Sequence, residues 1–143
     1  MLVASILKAK GNGVVTATPE TTVAEAVQTL KRERIGVVVV IGPDRSVAGI
    51  LSERDIVHAL ARGDSDFMDH PIADYMTTAV ICCTPGQSLE DLMREMTNRR
   101  IRHLPVLEDG RLAGIVSIGD VVKYRLGELQ AERDALQEYI ATG

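Results

Sequence analysis

The chain has 143 residues, 45% of them hydrophobic and 25% charged, with a formal net charge of −4. That length suits one compact domain or two docked halves burying roughly 68–70% of the unfolded surface, and the acidic balance argues against nucleic acid as a partner. No stretch approaches the roughly 18 consecutive apolar residues of a membrane span, and Met1–Lys10 is too short and broken for a signal-peptide core, so the expected location is cytoplasmic.

Along the chain, Val14–Ala17 reads as a short strand closed by Thr18-Pro19. Thr22-Val23-Ala24-Glu25 reads as a capping box, and Val23, Ala26, Val27 and Leu30 form the apolar stripe of a helix ending among Lys31, Arg32 and Arg34. Gly36–Ile41 is an apolar run of strand length. A turn at Pro43-Asp44 leads to a second strand, Val47–Leu51, and Ser52 opens a helix that Gly63 stops. After a connector containing His70-Pro71, the steps recur. Val80–Cys83 is the strand, Thr84-Pro85 closes it, and Ser88 caps a helix striped by Leu89, Leu92, Met93 and Met96. His103–Leu107 and Leu112–Val116 form a hairpin across Asp109-Gly110, and Ser117 opens the last helix of the unit. A polar helix over Glu128–Ile140 follows, with Leu129, Leu136 and Ile140 on one side.

The order is β-α-β-β-α, twice. Thr18-Pro19 returns as Thr84-Pro85 and Arg34-Ile35 as Arg100-Ile101, while Ala48-Gly49-Ile50, Ser52 and Asp55 return as Ala113-Gly114-Ile115, Ser117 and Asp120. The single-residue slip between these blocks falls in the Gly42–Ser46 turn, where a loop tolerates it. The division is therefore an N-terminal segment (1–13), a first repeat (14–64), a connector (65–76), a second repeat (77–126) and a tail helix (127–143). Each repeat alone, at about 50–60 residues, would have a marginal core, so the halves are expected to share one, with a binding cleft between them.

The chemistry concentrates at Gly49-Ile50-Leu51-Ser52-Glu53-Arg54-Asp55 and Gly114-Ile115-Val116-Ser117-Ile118-Gly119-Asp120. A helix N-terminus offers unpaired N–H groups to phosphate, and a carboxylate one turn in can accept both hydroxyls of a ribose. Ser-x-x-Asp alone is equally a helix cap. Its appearance twice, at equivalent junctions, favours a site. Arg99 and Arg100 fit a solvated helix end, whereas Arg102 and His103 lie on the strand side of that boundary. His58 and His70 fit surface or core positions, and Met93 and Met96 fit the core. Cys82 and Cys83 are adjacent, about 3.8 Å apart at Cα where a bridge prefers roughly 4.4–6.8 Å, so two reduced thiols are expected. No nucleophile–base pair, metal-ligand cluster or Walker-type loop emerges, so the chain does not read as an enzyme.

The duplicated β-α-β-β-α order, the Thr-Pro pairs and the Gly-x-x-Ser-x-x-Asp junctions resemble a tandem pair of CBS domains, or Bateman module, from about Val14 to Leu126. Arg34–Val39 and Arg100–Val106 resemble the family's segment before the hairpin, and Pro71–Thr77 resembles the lead-in to a second copy. The resemblance implies an α/β (α+β) fold of two repeats about a pseudo-two-fold. It also implies a regulatory module whose ligand is an adenine nucleotide, AMP, ADP, ATP or NAD(H). Ribose would be held by Asp55 and Asp120. Ser52, Ser117, Arg54, Arg102 and His103 would lie near ribose and phosphate, and Thr16, Thr18, Cys82 and Thr84 would line the adenine pocket. Copy two has Arg102 and His103 where copy one has Gly36 and Val37, so the two sites are expected to handle phosphate differently. A homodimer and an unidentified regulated protein are the expected partners. The competing reading is a nucleotide-independent interaction subunit that docks through its tail helix.

Overall fold

The structure, a computed structural model, describes residues 1–143. It contains α1 (Val3–Lys10), β1 (Thr16–Ala17), α2 (Val23–Glu33), β2 (Val37–Ile41), β3 (Val47–Ser52), α3 (Glu53–Arg62), α4 (Leu89–Arg99), β4 (His103–Glu108), β5 (Arg111–Ser117) and α5 (Ile118–Thr142). The α+β architecture of two tandem repeats is as expected. Copy one carries a three-stranded sheet in the order β1-β2-β3, with β1 parallel and β3 antiparallel to β2. The β-branched run Val38-Val39-Val40 is wholly buried because the sheet is covered on both faces. In copy two, β4 and β5 pair antiparallel through Asp109 and Gly110, both at positive φ (53° and 76°), as a two-residue hairpin requires.

Several local expectations change. Val80–Cys83 forms no strand; its pairing shrinks to one parallel bridge, Cys83 with Val106, where the Cys83 N–H donates to the Pro105 carbonyl at 2.9 Å. At Thr22 only half of the capping box forms. The Thr22 hydroxyl accepts from the Glu25 N–H, while both reciprocal boxes lie elsewhere, at Ser52/Asp55 and Ser117/Asp120. The last helix of copy two and the tail are one element, since Gly127 at mid-helix weakens α5 without breaking it. At 25 residues α5 reaches about 37 Å. No helix is long and apolar enough to cross a membrane.

The apolar interior divides in two. One cluster holds Leu89, Leu92, Met96, Leu104, Val106, Val116 and Val121 of copy two together with Val3, Ile6 and Leu7 of α1. The other holds Val23, Ala26, Leu30, Val38, Val40 and Leu51 of copy one together with Ile72 of the connector. The expected common core is thus replaced by an exchange of arms. Each repeat's leading segment completes the other repeat, which supplies the apolar area that a lone unit of this size lacks.

The exchange is symmetric bond for bond. Val3 N–H donates to the Gln87 carbonyl (2.9 Å), Ala4 to Pro85 (3.0 Å), and Leu89 donates back to Met1 (2.9 Å). The mirror set is Ile72 to Thr21 (2.7 Å), Ala73 to Pro19 (3.2 Å), and Val23 back to His70 (3.0 Å). Gly114 and Gly49 permit this close approach. A Cβ at Gly114 would stand 2.5 Å from Leu7 Cδ2, and one at Gly49 2.7 Å from the Met76 sulfur and 2.9 Å from the Thr77 carbonyl oxygen.

Candidate functional site: two clefts between the repeats

At each strand-to-helix junction the Ser and Asp lock one another. Ser52 N–H donates to Asp55 Oδ2 at 2.9 Å, the Ser52 hydroxyl donates to the same oxygen at 3.0 Å, and Asp55 N–H donates to Ser52 Oγ at 3.1 Å. Ser117 N–H donates to Asp120 Oδ2 at 2.9 Å and Asp120 N–H to Ser117 Oγ at 3.1 Å. The cap reading therefore holds, and it is compatible with a site. Capping uses Oδ2 and fixes the carboxylate, leaving lone pairs for a ligand.

Two clefts related by the internal two-fold run between the copies. The first, of about 720 Å³, joins Ser52, Glu53, Arg54, Asp55 and Thr77 to Arg100, Ile101, Arg102, His103 and the start of α5. The second, of about 390 Å³, joins Lys10, Gly13, Val14, Val15 and the Arg34–Val37 segment to His103, Ile115 and Ser117. Gly36, Val37, His103 and Ser117 line both. Each cleft thus faces the motif of one copy with the Arg-Ile turn of the other.

The structure brings Ser52, Arg54, Asp55, Arg102, His103 and Ser117 together in the first cleft. Thr16, Thr18, Cys82 and Thr84 fall outside the lining of both clefts. Thr16 pairs with Val39 in the sheet, and the Thr18 and Thr84 N–H groups are taken by Thr21 Oγ1 (3.1 Å) and Gln87 Oε1 (2.9 Å). Cys82 and Cys83 are free thiols, and burial, with Cys82 beside it, pushes the Cys83 thiol up to about 12.

Four residues overlooked in the motif reading belong to the clefts: Lys10, Arg34, Thr77 and Arg100. Arg34 and Arg100 end α2 and α4 in the left-handed conformation (φ 55° and 54°). That backbone favours glycine, so each arginine is held there at a conformational cost, and each lines a cleft. Their duplication is visible in the sequence, where Arg100 fits a solvated helix end.

The electrostatics differ between clefts. In the first, Asp55 accepts only neutral donors, its Oδ1 receiving the Thr77 hydroxyl at 3.3 Å, and Arg54, Arg100 and Arg102 stand free along the same walls. In the second, the Lys10 ammonium bonds Asp120 Oδ2 at 2.5 Å and the Ile115 carbonyl at 2.9 Å. Partial burial pushes the Asp120 carboxyl up, but Lys10 and the Ser117 donors outweigh it and hold it below the ordinary carboxylate value. His103, where the clefts meet, is lowered by burial and by Arg102, with Asp120 opposing, which favours the neutral imidazole at pH 7.

The family model for the CBS domain matches residues 11–62 and 72–127. The mitochondrial CBS domain-containing protein CBSX3 of Arabidopsis thaliana is 32% identical over 99% of this chain and 72% of its own length. Several other curated relatives are longer, with the chain covering 32% to 63% of each. Among solved structures, a CBS-domain containing protein from Agrobacterium tumefaciens superposes with TM-score 0.82 at 44% identity, over 87% of this chain and 99% of that one. The CBS domain pair of the protein MJ0100, solved with 5′-methylthioadenosine and S-adenosyl-L-methionine, has TM-score 0.78 at 26% identity, over 90% and 98%. With two copies of the unit, arranged as in these structures and matched along most of its length, the chain belongs to the CBS domain family.

Proposed function

We propose that this chain is a regulatory module that binds an adenine nucleotide between its repeats and reports occupancy through conformation or assembly, without catalysing a reaction. The observation that carries the reading is the first cleft. A carboxylate fixed by its cap and free of any cation faces three unpaired arginines contributed by both copies. Asp55 takes the ribose hydroxyls. Arg54, Arg100 and Arg102 take phosphate, with Ser52, Ser117 and neutral His103 as hydrogen-bonding groups beside them. Adenine recognition is assigned to the backbone of the segments ending in the Thr-Pro pairs, of which Val14 and Val15 line the second cleft, while Thr16, Thr18, Cys82 and Thr84 stay outside both linings. The adenosine-derived ligands of the MJ0100 domain pair support the ligand class. AMP, ADP, ATP and NAD(H) all meet these requirements.

A thermal-shift panel of those ligands, with GTP as control, tests the reading. A ligand at 100 times its Kd adds about 2.7 kcal/mol, a shift of roughly 5–11 °C for this size class. The shift is expected for adenine ligands, and Asp55→Ala or Arg102→Ala should remove the part of it that the first cleft contributes. No shift with any of them refutes the reading.

Assembly is assigned to α5. Val122, Leu126, Leu129, Leu136 and Ile140 are exposed (51%, 61%, 45%, 62% and 75%) and, counting Arg133, follow alternating four- and three-residue steps. That spacing is a coiled-coil seam, and it fits a homodimer through α5. Antiparallel pairing keeps Arg133 from facing its own copy. The same seam also serves the interaction-subunit reading, in which the clefts stay empty.

A further inference from the structure

The internal two-fold relates the clefts in shape but not in chemistry. Asp55 lines the first cleft; its counterpart Asp120 does not line the second, where Lys10 stands instead. The Lys10 ammonium occupies both Asp120 Oδ2 and the Ile115 carbonyl, whereas Asp55 meets only hydroxyl and amide donors. Lys10 ends α1, whose Val3, Ile6 and Leu7 are packed into the copy-two core, so the backbone is held and the side chain is the part free to swing. Arg34 and His103 complete the polar wall of this cleft.

We propose that Lys10 makes the second cleft selective for adenine ligands bearing a 5′-phosphate over those whose 5′ group is uncharged or cationic; the inference rests on the adenine-ligand reading above. A ribose diol gripping Asp120 through both oxygens must take one of them from Lys10. The displaced ammonium then needs another anion, because leaving it half-buried without one is unfavourable. A 5′-phosphate provides that anion inside the same cleft, next to Arg34. A thioether tail provides none, and a sulfonium tail adds a like charge.

The test isolates the second cleft with Asp55→Asn and titrates calorimetrically with AMP and 5′-methylthioadenosine as probes. AMP is expected to bind roughly 10- to 100-fold more tightly, the range of one charge-assisted hydrogen bond. Adding Lys10→Met should bring the ratio to within about threefold of unity, and Lys10→Arg should preserve it. Ligand-free melts verify the fold of each variant. If Lys10→Met does not fold, Lys10→Gln, which still donates to Asp120, carries the comparison. A ratio unchanged without the ammonium, or no binding to Asp55→Asn when the wild type binds, overturns the Lys10 assignment and leaves the nucleotide reading standing. Failure of both probes to bind the wild-type chain overturns the nucleotide reading and this inference with it.

Discussion

Ile6→Ala tests the exchange of arms on which both clefts are built. Ile6 is fully buried, and it lies ahead of copy one in sequence while packing into the interior of copy two. Truncation to alanine leaves a cavity in the cluster that also holds Leu89, Leu92 and Val106, and buried Ile→Ala changes cost about 2–5 kcal/mol. At roughly 2–4 °C per kcal/mol, the melting temperature should fall by about 4–20 °C. The decisive readout is local. Native-state hydrogen exchange should accelerate at the amides of Leu92 and Val106, by about tenfold for each 1.4 kcal/mol, and much less at Leu30 and Val38 of copy one. Ile72→Ala should give the opposite pattern, because Ile72 is the corresponding arm residue in the copy-one core. Equal acceleration in both copies for either variant would mean one cooperative core and would refute the two-core arrangement.

Gly49→Ala should cost about 1–3 kcal/mol in urea unfolding, because its Cβ meets the Thr77 backbone carbonyl, which cannot retreat; Gly114→Ala should cost less, since it meets only the flexible end of Leu7. The folded-state pKa of Asp120 is depressed, so its ion pair contributes stability that is full above the ordinary carboxylate pKa of about 3.9 and is lost as pH falls through the lower folded value. Lys10→Met should accordingly be less stable than wild type at pH 7, with the gap closing below about pH 4; a gap that stays constant with pH would contradict the assignment. Leu126→Asp combined with Leu136→Asp should convert a dimer to a monomer by light scattering with helical content unchanged, and a dimer that survives would remove α5 as the interface.

Much of the candidate site was legible because its chemistry is local and repeated. Ser52/Asp55 and Ser117/Asp120 sit three residues apart, and a helix start of that composition organises itself. What escaped was the crossing of partners. Arg100 reads as a helix end from its neighbours alone, and only docking of the copies puts it opposite Asp55. Lys10 carried no motif. The faint echo of Leu2-Val3-Ala4 in Pro71-Ile72-Ala73 was the available clue that Met1–Lys10 is a lead-in like the connector.

By itself, the sequence determined the duplicated unit, helices α2 to α4 and the main hairpins, since apolar periodicity, caps and the Asp109-Gly110 turn act over a few residues, whereas α1 lies in a segment whose broken apolar pattern did not read as a helix. Tertiary structure alone decided that the arms exchange, that Val80–Cys83 stays a single bridge, and that α5 continues through Gly127. It also decided that one motif aspartate faces an open cleft while the other is held by Lys10. These outcomes depend on contacts between residues far apart in the chain, where steric fit and charge pairing across the two-fold, rather than local pattern, select the partner.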